Sequence, residues 1–193
     1  MVCDDIFVTS SGEMKLQKPV RTIRKSGRRD FLLLYVCEGT CVLSSDGGSL
    51  TAEKGSVVFY RPSEPQDYYF PAEPVNHNIW VHFSGDKCDE LLAALNIRNE
   101  RILKPSHTAR IEHIFSAICD SFLNKNTESS VICTGLLTAL LGMLAEYTKE
   151  ESSHAFGEYR RIIGDEIMRF KTAPYQKMSI AKSAKNCGMS VTH

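Results

Sequence analysis

No stretch of this 193-residue chain approaches the roughly twenty consecutive apolar residues that a membrane-spanning helix needs. The start, Met1-Val-Cys-Asp-Asp5, has neither the basic head nor the apolar run of a secretory signal. These two absences predict a cytoplasmic protein with no membrane partner. Charge of one sign is also missing: 23 Lys and Arg balance 23 Asp and Glu. There is no disulfide framework, because the seven cysteines (3, 37, 41, 88, 119, 133 and 187) are odd in number and scattered among apolar neighbours. Cys37 and Cys41 flank a turn at Glu38-Gly39, but a reducing compartment favours two thiols.

The common catalytic signatures are absent as well. The chain contains no Gly-x-Ser-x-Gly, no Gly-x-x-x-x-Gly-Lys-Ser/Thr and no His-Glu-x-x-His. None of the six histidines forms the His-x-His and Glu pattern that would hold a metal on one strand, and His77 and His82 are five apart, on opposite faces of a strand. No cofactor, no metal and no catalytic group is expected from these patterns.

What is present begins with short alternating or apolar runs from about Val20 to Phe83, separated by turn residues, the pattern of a small β-barrel or jelly roll. Phe31 to Val36 reads as a strand, Glu38-Gly39 turns, Cys41 to Leu43 returns, and Asp46-Gly47-Gly48 is a hairpin signal. Leu50 to Ala52 and Val57 to Tyr60 continue the meander, and Pro62, Pro65, Pro71 and Pro74 mark connections either side of Tyr68-Tyr69-Phe70. Along Val75 to Phe83, Ile79, Val81 and Phe83 share one face of a strand, and Asn76, Asn78, Trp80 and His82 share the other. The second face either lines an interior, where an aromatic plate with amides and an imidazole suits a small hydroxylated ligand, or meets solvent.

Three helices follow. Asp86 to Leu95 is a short one capped by Ser84. His107 to Phe122 carries Ile111, Ile114, Phe115, Ile118 and Phe122 at three- and four-residue spacing. Glu128 to Tyr147 is apolar over more than one face, so it either meets a second subunit or is enclosed by its own chain. Lys149 to Ser153 reads as a linker, Phe156 to Phe170 as a further amphipathic helix, and Met1 to Lys18 as a loosely patterned arm able to act as a lid. From residue 157 onward seven basic residues face three acidic ones, so this segment carries +4 and the preceding residues −4. Within it, Met178 to Ser190 places Ala184 four residues before Gly188, with Ser190 in position to cap a following helix. That is either an ordinary helix with a glycine stop or the first helix and turn of a helix-turn-helix that ends before its DNA-reading helix.

Gly27-Arg28-Arg29-Asp30-Phe-Leu-Leu-Leu-Tyr-Val-Cys-Glu-Gly39, Gly55-Ser-Val-Val-Phe-Tyr-Arg-Pro62 and Trp80-Val-His-Phe-Ser-Gly85, in this order and spacing, resemble the effector domain of AraC/XylS-type transcription regulators. The resemblance implies an α+β chain: a cupin-like barrel or jelly roll over 1–85, a helical dimerisation region over 86–152, and the start of a helix-turn-helix domain over 153–193. It implies a small-molecule effector, often a sugar, a homodimer formed through helices 107–123 and 128–147, and DNA as a partner of a full-length protein only. By motif position the ligand would meet Arg28, Tyr68 and Trp80. Asn78 and His82 join them because they share the face of Trp80. Ser190, Thr192 and His193 fall where DNA contacts would begin. Two positions depart from the family pattern: Gln66 stands where a His is usual, and Ser183 where a bulky aliphatic is usual. The alternative reading is a metal-independent cupin-type enzyme acting on a sugar, with Tyr68 or His82 as acid–base group.

Overall fold

A computed structural model describes residues 5–45, 47–72, 75–97, 100–105, 107–124 and 127–151, together with 162, 164–167, 169, 179–187 and 190. The chain divides into two compact units, Met1–Thr148 and Lys149–His193.

The first unit is a mixed α+β, jelly-roll-like arrangement of two antiparallel sheets and a helical layer. One sheet has the order β1(Phe7–Leu16), β8(Asn76–Ser84), β3(Phe31–Glu38), β6(Val57–Tyr60) and β9(Ile102–Leu103). The other runs β2(Val20–Arg24), β7(Gln66–Phe70), β4(Thr40–Ser45) and β5(Gly48–Glu53). The described strands form two separate sheets and no closed barrel.

Strand alternation creates two apolar layers. On the large sheet, Leu33, Tyr35, Cys37, Phe59, Ile79, Val81 and Phe83 face the helices and pack with Phe115, Ile118, Leu137, Leu140 and Leu144. Leu32, Leu34, Val36, Val58 and Tyr60 face the second sheet and pack with Leu43, Tyr68 and Phe70. Because β3 is covered on both sides, its sequence is a continuous apolar run with no alternation. Cys37 lies in the first layer and Cys41 in the second, so the two thiols point into different cores and remain free. Burial pushes both thiols up to about 12.

The connection from β3 to β4 turns at Gly39, whose φ of 80° is one that side-chain-bearing residues rarely adopt. Asn76 staples this turn: its Oδ1 accepts the Thr40 N–H at 2.7 Å and its Nδ2 donates to the Pro71 carbonyl at 2.7 Å. Asn76 therefore serves the scaffold at one end of the polar face of β8.

The helices are α1(Cys88–Ala94), α2(Thr108–Asn124) and α3(Thr127–Glu151). Ser84 does not cap α1. It belongs to β8, paired with Phe7, and the helix starts after Gly85 with Lys87 at its N-cap and no side-chain cap; Asp89 and Glu90 supply the favourable first-turn charge instead. The buried stripe of α2, namely Ile111, Phe115, Ile118 and Cys119, meets the large sheet. In α3 the segment Glu128–Ala145 is long and apolar enough to cross a membrane by length and composition, with a mean hydropathy of 1.6. One of its faces is accounted for by the core, through Cys133, Leu137, Leu140, Leu141 and Leu144, while Val131 (67% exposed) and Ile132 (49%) stand on the outside. Tyr147 and the linker residues Ser152 and Ser153 have side chains outside the described residues, and α3 continues through Lys149 to Glu151.

Residues 5–16 are not a loose arm. Phe7–Leu16 is a full strand, paired with β8 from Phe7↔Ser84 to Leu16↔Asn76. A lid built from it would have to break that ladder.

In the second unit the described part of the expected helix over 156–170 is helical at 162, 164–167 and 169, and Phe156, Tyr159, Ile163 and Phe170 lie outside the described residues. Helix α4(Ile180–Asn186) starts after Ser179, which is extended and makes no side-chain cap hydrogen bond, and Asn186 donates to the Glu166 carboxylate. Ser183 and Ala184 are half-buried. Ser190 is exposed, whereas Gly188, Thr192 and His193 lie outside the described residues.

Candidate functional site

Between the two sheets lies a cavity of about 210 Å³ lined from five strands. The inner face of β8 supplies Asn78, Trp80 and His82, and β3 supplies Leu32 and Leu34. Val20, Thr22 and Arg24 come from β2, Tyr68 and Phe70 from β7, Ser10 and Met14 from β1, and Arg28 from the loop before β3. All five sequence-derived candidates, Arg28, Tyr68, Asn78, Trp80 and His82, are thus gathered on one cavity, and the polar face of β8 points inward.

Trp80 owes its position to the strand beside it. Gly12 is its partner across the β1–β8 ladder. A β-carbon on Gly12 would sit 2.8 Å from Cη2 and 3.0 Å from Cε2 of the indole, and closer still to Cζ2. The ring therefore lies across the bare Cα of residue 12, which only glycine permits at this approach. The Ser11 hydroxyl donates to the Trp80 carbonyl at 2.9 Å and fixes the backbone beneath the ring.

The charged end is organised around Asp30. Arg28 donates through Nε to Oδ1 at 2.7 Å and through Nη2 to Oδ2 at 3.0 Å, and the Thr9 hydroxyl donates to Oδ2 at 2.9 Å. Thr9 reaches this carboxylate because β1 bulges there: Val8 pairs with Phe83 and Ser10 with His82, leaving residue 9 extra. Burial pushes the Asp30 carboxyl up, but hydrogen bonds from Arg28 and Thr9 outweigh it and hold the group below its ordinary value. The same pairing raises Arg28. His82 Nδ1 is 3.3 Å from Asp30 Oδ1 without hydrogen-bond alignment. Burial lowers the imidazole below its ordinary value, more than the neighbouring carboxylate raises it, so His82 is neutral at pH 7.

Arg24 was not anticipated, nor were Asp30, Thr9 and the β1 residues. Arg24 Nη1 donates to Gln66 Oε1 at 2.9 Å. Gln66 thus has a role at the position where it departs from the family pattern: 1% exposed on the inner face of β7, it holds a cavity-lining arginine. The alternation of Val20, Thr22 and Arg24 was the available signal for β2, since it places all three on one face.

His77 points away from His82, with Nε2 2.8 Å from the Glu13 carboxylate. Among the described residues no three His, Cys, Asp or Glu side chains come together as a metal site.

Two packed sheets enclosing a mixed polar and apolar cavity define a small-molecule-binding domain of the cupin-like class. The family model for the AraC-like ligand binding domain matches residues 18–145, more than half of the chain, and the protein belongs to that family. The resemblance drawn from the three sequence blocks is borne out at this level. The search of curated proteins finds no match. Among solved structures the chain is similar to the AraC-like transcriptional activator CuxR, at 12% identity and a TM-score of 0.49 over 91% of this chain and 65% of that one. It is similar also to ToxT from Vibrio cholerae O395, at 14% identity and a TM-score of 0.48 over 95% of this chain and 76% of that one. A third is the EutQ protein of Clostridium difficile, at 19% identity and a TM-score of 0.30 over 39% and 56%. The chain spans about two-thirds of the length of CuxR.

Proposed function

We propose that this chain is the ligand-sensing and dimerisation portion of a cytoplasmic AraC-type transcription regulator, that its effector is a small carbohydrate-like molecule, and that it binds the effector without turning it over. The observation that carries this reading is the cavity between the sheets, on which Arg28, Tyr68, Asn78, Trp80 and His82 converge. Its volume of about 210 Å³ lies below the roughly 300–1,000 Å³ of sites for drug-sized ligands, which favours a molecule of monosaccharide size. Trp80 offers a flat surface for ring C–H groups, and Ser10, Thr22 and Tyr68 offer hydroxyls.

The division of labour follows the proposed domains: sensing over 1–85, dimerisation over 86–152 and the start of a helix-turn-helix over 153–193. Leu123 on α2 and Val131 and Ile132 on α3 give the outer helical surface an apolar character suited to a second copy of the chain. DNA contact belongs to a full-length protein in which Ser190, Thr192 and His193 open the reading helix. Regulation is then linkage: the effector shifts the balance between two arrangements of the dimer by as much as it prefers one of them.

Trp80 is the only tryptophan. Titration of its fluorescence with monosaccharides, disaccharides, polyols and sugar acids, with melting temperature followed in parallel, tests the reading. The expected result is a saturable change for one class, a raised melting temperature and unaltered ligand on recovery. A flat response from every compound in both measurements refutes it.

A further inference from the structure

From the donors, acceptors and charges around the cavity we infer that the effector carries a single carboxylate, bound at the end formed by Arg24, Arg28 and His82. This deepens the reading above and rests on the cavity being the effector site.

Charge comes first. The cavity lining includes two arginines and no carboxylate. Asp30, behind Arg28, takes up one of the two positive charges through its paired hydrogen bonds. Arg24 is held by the neutral Gln66. With His82 neutral at pH 7, one positive charge remains, which a singly charged anion balances and a neutral sugar leaves uncompensated.

The hydrogen-bonding inventory gives the same answer independently. Along the lining, Asn78 Nδ2 and His82 Nδ1 lack a hydrogen-bond partner among the described residues. The side chains that bear them are 2% and 7% exposed. An unpaired buried donor is costly, and the Asn78 amide finds a partner if it turns toward an acceptor on the bound molecule. Acceptors are the scarce resource in the lining, where only Ser10, Thr22 and Tyr68 have side-chain hydroxyls. Every hydroxyl of a neutral polyol brings a proton that needs an acceptor, whereas a carboxylate only accepts. The rest of the lining includes Met14, Val20, Leu32, Leu34 and Phe70, an apolar surface that fits the body of the ligand.

The test uses matched pairs, glucose with glucuronate and galactose with galacturonate, plus small non-sugar monocarboxylates such as benzoate and hexanoate. Trp80 fluorescence and melting temperature are read for the whole chain, for Arg24→Met and for Arg24→Lys. Arg24 is half-buried at the end of an edge strand, and Arg24→Lys keeps the charge if Arg24→Met fails to fold. The expected result is an acid bound roughly tenfold to a hundredfold more tightly than its neutral partner, a preference abolished by Arg24→Met and largely kept by Arg24→Lys. Equal affinity within each pair overturns the carboxylate, and a preference that survives Arg24→Met overturns its placement at Arg24; either result leaves the sensor reading intact. Binding of non-sugar monocarboxylates alone upholds the carboxylate and removes the carbohydrate. Silence from every compound overturns both.

Discussion

Gly12→Ala is the sharpest perturbation available, because a single methyl group is set against the indole that floors the cavity. Its β-carbon would lie 2.8 Å from Cη2 and 3.0 Å from Cε2 of Trp80. Carbon atoms rest at about 3.5–4.0 Å, so the ring or β1 must retreat by roughly 1 Å. Overpacking of this kind costs about 1–3 kcal/mol. Against it stands a gain of about 0.4–1 kcal/mol from the reduced freedom of the unfolded chain, available because residue 12 does not need a positive φ. The net expectation is a loss of about 1–2 kcal/mol, or a fall in melting temperature of roughly 2–8 °C for a chain of this size. The ring's easiest retreat is into the cavity, so effector affinity falls and the emission of the sole tryptophan shifts. The cause is isolated by a double-mutant cycle with Trp80→Leu, read by urea unfolding in circular dichroism. In the Trp80→Leu background the methyl group meets no ring, and Gly12→Ala is expected to be neutral or stabilising, a coupling of about 1–3 kcal/mol. If Gly12→Ala destabilises both backgrounds equally, the account of how Trp80 is held is wrong.

Two further outcomes follow from the site and the helices. Because folding lowers the His82 pKa, the unfolded chain takes up its proton first; the stability linked to His82 is complete above the ordinary value of 6.5 and is lost as pH falls below it. Denaturation midpoints measured between about pH 7.5 and 5 should therefore fall less steeply in His82→Gln than in the parent, and parallel slopes would count against a buried neutral imidazole. On the outer helical face, the pair Val131→Glu and Ile132→Glu, at positions 67% and 49% exposed, is expected to leave the melting temperature nearly unchanged while converting a dimer to a monomer in sedimentation velocity. An unchanged dimer in the double variant would move the interface elsewhere.

The parts of the fold that were legible in the sequence are those with an unbroken period. Val57–Tyr60, Asn76–Ser84 and the buried stripe of α2 follow directly from apolar spacing, and the inward face of β8 carried three of the five candidate residues with it. β1 was illegible for a definite reason. Its bulge at residue 9 puts Val8 against the helical layer and Ser10 on the cavity, two residues apart yet on opposite sides, which erases the alternation that marks a strand. Gly12, in the middle, reads as a strand breaker until its partner Trp80 is known. The same limit hid the charged end of the cavity. Thr9, Asp30, His82 and the pair Arg24–Gln66 meet across four different strands and a loop, and no local spacing encodes a meeting of that kind. Ser84 failed as a predicted helix cap because its backbone was already committed to the ladder with Phe7.

β3 gives the molecule a property that neither sheet has alone. Leu32 and Leu34 form part of the cavity wall, while Leu33 and Tyr35, the next residues along the same backbone, touch the helices; Tyr35 stacks on Phe115 with ring centres 5.4 Å apart, and its hydroxyl donates to the Thr108 carbonyl at 3.2 Å. Successive residues of a strand are separated by about 3.3 Å and joined by planar peptide units, so a shift of the backbone moves both sets of side chains. An occupant that shifts the β3 backbone at Leu32 or Leu34 therefore moves the contacts of Leu33 and Tyr35 with the helices as well. The chamber and the helical layer are two sides of one wall, and the wall is a single chain thick.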